Sequence, residues 1–410
     1  VIKPLARVVM MRLMMLALAA ALASQASAYS AVSRSALSRA APVAPAARVA
    51  SPQEPRFCTV VMSTATGTKA FVVGVAADSG CGKSTFMRRL TNIFGGDTKL
   101  LDIGRETNTL VSDKTTVICL DDYHLYDRTG RKENDITALH KDCQKWDLMA
   151  EQVAAIKKGE KVMKPIYNHI TGELDPDEEI TPTDIVIFEG LHPMLDQRVR
   201  EQLDLSIYLD ISDEVKFAWK IQRDMQERGH SLESIKAAIE SRKPDFDAFV
   251  APQRANADVV IEVLPTQLVD DPDGKFLRVR YIQKAGLDLI TPPFLFDEDS
   301  TIQWTPCGKK LTCNYPGIKF AYGPETYMGN EVTVLEMDGR FDKIDELVYV
   351  ESAISNTGSK FYGELTQQLL KNKDAPGSDN GTGFFQTLCS FKIREAFEKA
   401  TGNVIEAKQA

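Results

Sequence analysis

The run Ala77-Asp78-Ser79-Gly80-Cys81-Gly82-Lys83-Ser84-Thr85 closes a stretch of small residues with an ammonium and two hydroxyls. Types of that kind at that spacing hold phosphate. Backbone N–H groups at a helix start, together with Lys83, can cradle the β- and γ-phosphates of a nucleotide, and the Ser84 hydroxyl can bind Mg²⁺. The pattern usually opens on Gly, where this chain has Ala77. Cys81 is the second oddity, because a phosphate cradle has no need of a thiol.

Further along, Asp121 follows the apolar run Thr115 to Leu120. A carboxylate at a strand's carboxyl end can accept the proton of an attacking hydroxyl. Its neighbour Asp122 competes for the same role. His124, Arg128, Arg131 and Lys132 come next, a cluster suited to a phosphorylated substrate, since Arg binds phosphate through paired N–H groups. Glu189 ends a second apolar run, Ile185 to Phe188, where a carboxylate can hold a divalent metal. Tyr167 and His169 lie in an extended segment and could reach a sugar hydroxyl or a phosphate. Lys220, Asp224 and Arg228 recur at every fourth position, with Arg223 on the neighbouring flank. That spacing makes one helix face, either salt-bridged or serving as a lid whose cations close on a transferring phosphoryl group.

These residues need a scaffold. Phe71–Ala76 reads as a strand, 85–94 as the helix after the cradle, and 95–113 as a polar surface loop. Runs at 115–120, 184–188, 205–209, 257–263 and 276–282 read as further strands. Helices are expected at 148–158, 213–228, 231–242, 342–351, 361–370 and 383–400. Strands alternating with helices predict an α/β fold, with a mostly parallel central sheet flanked by helices. The region 285–322, rich in Pro, Thr and Cys, predicts an irregular C-terminal extension.

The chain has 410 residues and a formal net charge of −8, unevenly spread. Residues 1–56 hold seven Lys/Arg against one acid, which leaves the body with 42 basic and 56 acidic residues. An acidic body argues against nucleic acid as a partner. Residues 1–28, with Arg12, an apolar run and Ala26-Ser27-Ala28, read as a signal peptide too short to span a bilayer. Residues 29–69, rich in Ala, Ser, Pro and Arg, read as a transit peptide and flexible segment. Such a bipartite address points to a complex plastid, with no membrane in the mature form. Residues 70–285 then form the phosphate-cradle core, and 286–410 a C-terminal region packed on it. Seven cysteines at irregular spacing do not form a secreted disulfide scaffold.

Taken together, the blocks 77–89, Ile118-Cys119-Leu120-Asp121-Asp122-Tyr123-His124, Phe188-Glu189-Gly190-Leu191-His192-Pro193, Lys220 to Arg228 and Pro306-Cys307 to Cys313 resemble the phosphoribulokinases of plants and algae. These belong to the P-loop kinases related to uridine kinase. The resemblance runs from Phe71 to the C-terminus. It implies ATP-dependent phosphorylation of ribulose 5-phosphate, with Mg²⁺, in the Calvin cycle of a plastid stroma. It places the base on Asp121 and sugar-phosphate contacts on His124, Arg128, Arg131, Lys132, Tyr167, His169 and Arg223. Metal contacts fall on Ser84, Glu189 and Asp224, and further catalytic cations on Lys83, Lys220 and Arg228. Arg242 matches a position tied to effector response in bacterial members.

The resemblance also implies a homodimer and redox control by thioredoxin. The implied disulfides are Cys81–Cys119 and Cys307–Cys313, the second formed in a complex with glyceraldehyde-3-phosphate dehydrogenase and a small disordered linker protein. Cys81, at a helix N-terminus, is expected to lean toward thiolate. Cys58, Cys143 and Cys389 carry no assigned role. Two readings compete: a uridine or glycerate kinase, and a non-catalytic nucleotide-binding regulator.

Overall fold

The run Phe71–Ala77 (β1) carries no polar side chain, and all of it is buried. A continuous apolar strand of this kind belongs in the middle of a sheet covered on both faces. The computed structural model describes residues 70–94 except 79, then 109–219, 231–271, 276–287, 311–315, 318–341, 343–351 and 360–405. The described residues fall in one compact unit.

After β1 the chain forms helix α1 (Lys83–Ile93), strands β2 (Thr109–Val111) and β3 (Thr115–Cys119), a 3-10 turn (Leu120–Tyr123), and helices α2 (Arg128–Glu133) and α3 (Trp146–Lys157). A hairpin follows, β4 (Val162–Tyr167) and β5 (Leu174–Ile180), then β6 (Ile185–Gly190), β7 (Leu205–Ile211), helix α4 (Leu232–Asp245), β8 (Val259–Pro265) and β9 (Leu277–Lys284). The C-terminal third adds β10 (Leu311–Tyr315), β11 (Ile318–Tyr327), β12 (Asn330–Gly339) and helices α5 (Glu364–Lys371) and α6 (Gly381–Thr401).

Ten strands join in the order β10-β11-β12-β9-β8-β7-β1-β6-β3-β2. The central five, β8-β7-β1-β6-β3, run parallel. Antiparallel strands extend both edges. Flanking helices cover this central sheet, as the alternating pattern predicts. On one face α3 buries Met149, Val153 and Ile156 against Val72, Ile118, Val186 and Phe188. On the other, α6 packs on α1 and β9, with Phe71 edge-on to Phe397 at 6.1 Å. Sixteen residues of α6 are buried, so this helix has no wet face and is a core element.

Several expectations shift in detail. The segment 95–113 was to be a surface loop; its end, Thr109–Val111, is instead a strand paired antiparallel to β3, and 95–108 lies outside the described residues. The C-terminal extension contributes the long hairpin β11–β12, whose alternating apolar residues Ile318, Phe320, Tyr322 and Val332, Val334 face the core. Arg280 on β9 ties its neighbours together through Glu262 at 2.6 Å, Glu325 at 2.6 Å and Glu336 at 3.4 Å. No helix among the described residues is long and apolar enough to cross a membrane.

Candidate active site

Three parallel strands end side by side, β1 in the cradle, β3 before Asp121 and β6 at Glu189, so one sheet edge gathers the ligand-bearing turns. The turn after β1 needs a left-handed backbone. Gly82 has φ +76, and a Cβ there would meet nothing within 4 Å. Conformation, not crowding, therefore demands glycine at this position. Lys83 opens α1 and points back, its Nζ donating to the carbonyls of Asp78 at 3.2 Å and Ala77 at 3.4 Å. Burial works against its charge, yet Glu189 and Asp121 outweigh that and hold the ammonium above its ordinary value. Ser84 is exposed and Thr85 half-buried.

The structure separates the two rival acids. Asp122 is fully buried and accepts from Lys164 Nζ and, at 2.9 Å, from the Tyr167 amide. Lys164, itself buried, also meets Glu178 at 3.0 Å. Asp122 is thus committed to holding β4 against the 3-10 turn. Asp121 is left facing the opening, with Oδ2 3.6 Å from His169 Nε2. Burial pushes its pKa up, but His124, His169, Lys83 and Arg242 more than offset this and pull the carboxyl below the usual carboxylate range. It is therefore ionised at neutral pH.

Around Asp121 the aromatic and cationic residues form one cluster. His124 is buried, its Nδ1 2.5 Å from the Asp121 carbonyl and its ring 5.1 Å from that of Tyr167. Burial lowers its pKa, which favours the neutral imidazole. Arg131 donates to the Tyr167 hydroxyl at 2.7 Å, and its guanidinium lies over the same ring at 5.0 Å. The Tyr167 and His169 rings meet edge-on at 5.0 Å. Arg128 donates to the His169 carbonyl at 3.0 Å, and α2, which carries both arginines, is capped by Asp127 accepting from the Gly130 amide at 2.6 Å. Lys132 is exposed and, among the described residues, ion-pairs with no member of the cluster.

Glu189 is buried at the end of β6, and its Oε2 has no hydrogen-bond partner among the described residues. Burial raises its pKa, with Lys83 pulling the other way. The next residue must be glycine for space: a Cβ on Gly190 would approach the Leu120 Cβ to 2.8 Å. An orphaned buried carboxylate oxygen and an exposed Ser84 hydroxyl are hard oxygen donors, the set a hard divalent cation takes.

One expectation fails. Cys81 does not lean toward thiolate: burial, then Asp78, pushes its thiol up to about 12, so the helix end is outweighed. Cys119 is likewise raised well above its ordinary value by burial, then by Glu189 and Asp121. Cys81, Cys119, Cys143 and Cys389 are free thiols. Ser79, Lys220, Arg223, Asp224, Arg228, Cys58 and Cys307 lie outside the described residues, and Cys313 falls on β10.

Two residues enter that the sequence reading left aside or weighed lightly. Lys216 is buried and reaches Asp78 of the cradle at 3.3 Å, while also holding Asp213 at 3.0 Å. Its position four residues before Lys220 was the available signal. Arg242 on α4 adds its charge to the field on Asp121.

A phosphate cradle, an ionised carboxylate facing it and a neighbouring basic cluster at the parallel strand ends define a P-loop phosphotransferase. Comparison with known proteins narrows the class. Residues 72–270 match the family model described as "Phosphoribulokinase / Uridine kinase family". The chain is 67% identical over 330 residues to "Phosphoribulokinase, chloroplastic" of Triticum aestivum, spanning 80% of this chain and 82% of that one. It is 65% identical over 338 residues to the protein of the same name from Spinacia oleracea, spanning 82% and 84%. It is 56% identical over 330 residues to "Phosphoribulokinase" of Synechocystis sp., spanning 80% and 95%. This chain belongs to the phosphoribulokinase family and is a kinase with ATP as co-substrate.

Proposed function

We propose that this protein transfers the γ-phosphoryl group of ATP to the carbon-1 hydroxyl of ribulose 5-phosphate, forming ribulose 1,5-bisphosphate for carbon fixation. The observation that carries this reading is the Asp121 carboxylate, ionised and aimed between the cradle and the cluster of His124, Arg131, Tyr167 and His169. Asp121 takes the hydroxyl proton as that oxygen attacks phosphorus. His169 and Arg128 hold the sugar phosphate, with Arg131 orienting Tyr167. Lys83 neutralises charge on the phosphate oxygens, joined by Lys220 and Arg228 from the lid; Lys132 and Arg223 add substrate contacts. Ser84 and Glu189, with Asp224, would hold Mg²⁺, which when bound supplies positive charge against the β- and γ-phosphates. Purified protein given ATP with either ribulose 5-phosphate or uridine tests the reading. Turnover is expected with the sugar phosphate alone. Faster turnover of uridine overturns it in favour of the uridine-kinase reading.

The relatives' names support a plastid location, with residues 1–28 and 29–69 as its two-part address, 70–285 as kinase core and 286–410 as an extension bearing Cys307 and Cys313. Redox control through Cys81–Cys119 and Cys307–Cys313, reduction by thioredoxin, a homodimer and docking of a dehydrogenase with a linker protein complete the proposal. Control through the first pair predicts activity that falls on oxidation and returns with a dithiol. Activity unchanged after oxidation, with thiols shown to be absent, removes that part and leaves the phosphoryl transfer standing.

A further inference from the structure

Three donor atoms of different softness converge at the mouth of the site. Cys119 ends β3, Asp121 follows in the 3-10 turn, and His169 reaches back from the turn between β4 and β5. Cys119 Sγ, a carboxylate oxygen of Asp121 and a ring nitrogen of His169 all lie within 4.8 Å of one another. The 3.6 Å between His169 Nε2 and Asp121 Oδ2 is close to the edge of about 3.3 Å in a tetrahedron built on zinc bonds of about 2 Å.

Glu189 lies against the Cys119 thiol, and its buried Oε2 lacks a hydrogen-bond partner among the described residues. Phosphoryl transfer accounts for Asp121, His169 and Glu189 but gives Cys119 no task. Sulfur is a poor ligand for Mg²⁺, whereas a thiolate, an imidazole and a carboxylate together select a softer ion.

We propose that Cys119, Asp121 and His169 form a binding site for a thiophilic divalent cation of the zinc class, with the fourth position open to solvent. On binding, the Cys119 S–H bond breaks, a sulfur–metal bond forms and the proton passes to solvent. The ion then occupies the lone pairs with which Asp121 would take the substrate proton. Phosphoryl transfer stops while the cradle around Lys83 stays free for ATP. Binding follows from the geometry of the cluster; the loss of activity rests in addition on Asp121 being the base.

Reduced full-length protein titrated with Co²⁺, then with Zn²⁺ as competitor, tests this. The expected result is one Co²⁺ per chain at this site, with a sulfur-to-cobalt charge-transfer band that Zn²⁺ abolishes. Cys119→Ser should remove the band. His169→Gln, at a half-buried turn position, should weaken Zn²⁺ binding by at least about tenfold, since even indirect partners of a metal site cost that much. Cys81→Ser and the double variant Cys307→Ser/Cys313→Ser should keep the band. No saturable band in the wild type overturns the proposal. So does a band that survives Cys119→Ser but vanishes in the Cys307/Cys313 double variant, which places the ion at the C-terminal pair. One Zn²⁺ bound at Cys119 with turnover intact keeps the site and overturns Asp121 as base instead.

Discussion

At the carboxyl ends of β1, β3 and β6 the molecule buries a carboxylate and leaves one of its oxygens open; behind the sheet, where α6 packs on α1, it buries charges that are each held by several protein partners. Arg394 is fully buried and grips Glu364 through two nitrogens at 2.6 and 3.0 Å. Arg89, equally buried, donates to Gln386 at 2.5 Å, Ser378 at 2.7 Å and the Pro376 carbonyl at 3.0 Å. The buried Glu351 accepts from the amides of Leu365 at 2.9 Å and Thr366 at 3.0 Å and from the Thr366 hydroxyl at 2.8 Å. At the site, by contrast, Glu189 keeps an oxygen in hand and the Asp121 carboxylate lies 3.6 Å from the His169 ring nitrogen. A buried charge gripped by several protein groups at once holds the fold. A carboxylate with an oxygen to spare at the parallel strand ends is held for a ligand.

The sharpest break in that comparison falls between adjacent residues. Asp121→Asn should lower turnover by about 10²–10⁴-fold, the usual worth of a positioned base, with ATP affinity unchanged in a binding titration. Wild-type turnover would remove Asp121 from the mechanism. Asp122→Asn should do the reverse. It strips Lys164 of its closest partner and should cost about 3–5 kcal/mol of stability in a denaturant titration, while the folded fraction keeps far more turnover than Asp121→Asn. On the scaffold side, Arg394→Met should also cost about 3–5 kcal/mol, and Arg394→Met/Glu364→Leu should recover most of it, because apolar replacement of a whole buried pair is close to neutral. If the double variant is no more stable than the single, the pair does more than fill space.

The sequence made the cradle legible because its whole logic is local: a strand, two turn glycines, a lysine at the helix start. The choice between Asp121 and Asp122 was not local. It is made by Lys164 and the Tyr167 amide, more than 40 positions away. Spacing put Lys216 in line with Lys220 but could not say that it reaches Asp78, nor that Arg242 charges Asp121, since both depend on how helices lie over strand ends. Cys81 shows the opposite error. Its local cue, a helix N-terminus, was read correctly, and burial beside Asp78 overrode it. The hairpin β11–β12 alternates in sequence as strands should, but its place in the sheet is fixed by pairing with β9.

A gentler test uses pH. His192 is buried just beyond β6, and burial, then the neighbouring His124, lowers its pKa to about 4. The unfolded chain takes up this proton near 6.5, so unfolding gains a proton that the folded state refuses. The stability His192 carries at neutral pH is therefore full above about 6.5 and is lost as pH falls toward about 4, by up to about 3 kcal/mol. His124, lowered as well, adds with the same sign. His192→Asn, compared with wild type by thermal unfolding at pH 7 and pH 5, should flatten part of that slope. An unchanged slope assigns the pH dependence elsewhere.

The smallest expected effect decides which side of the comparison α4 belongs to. Ser231 caps this helix, its hydroxyl accepting from the Ser234 amide at 3.2 Å. Its loss in Ser231→Ala should cost about 1 kcal/mol, and Ser231→Asp should restore it. The far end of α4 is held separately, through Asp245 accepting from Thr137 at 2.6 Å, and that is the end bearing Arg242. Fraying at Ser231 should therefore leave kcat and the substrate KM untouched while stability drops. A fall in kcat that Ser231→Asp reverses would mean that order travels the length of α4 to Arg242 and the field on Asp121, which makes the helix part of the site and not of the frame around it.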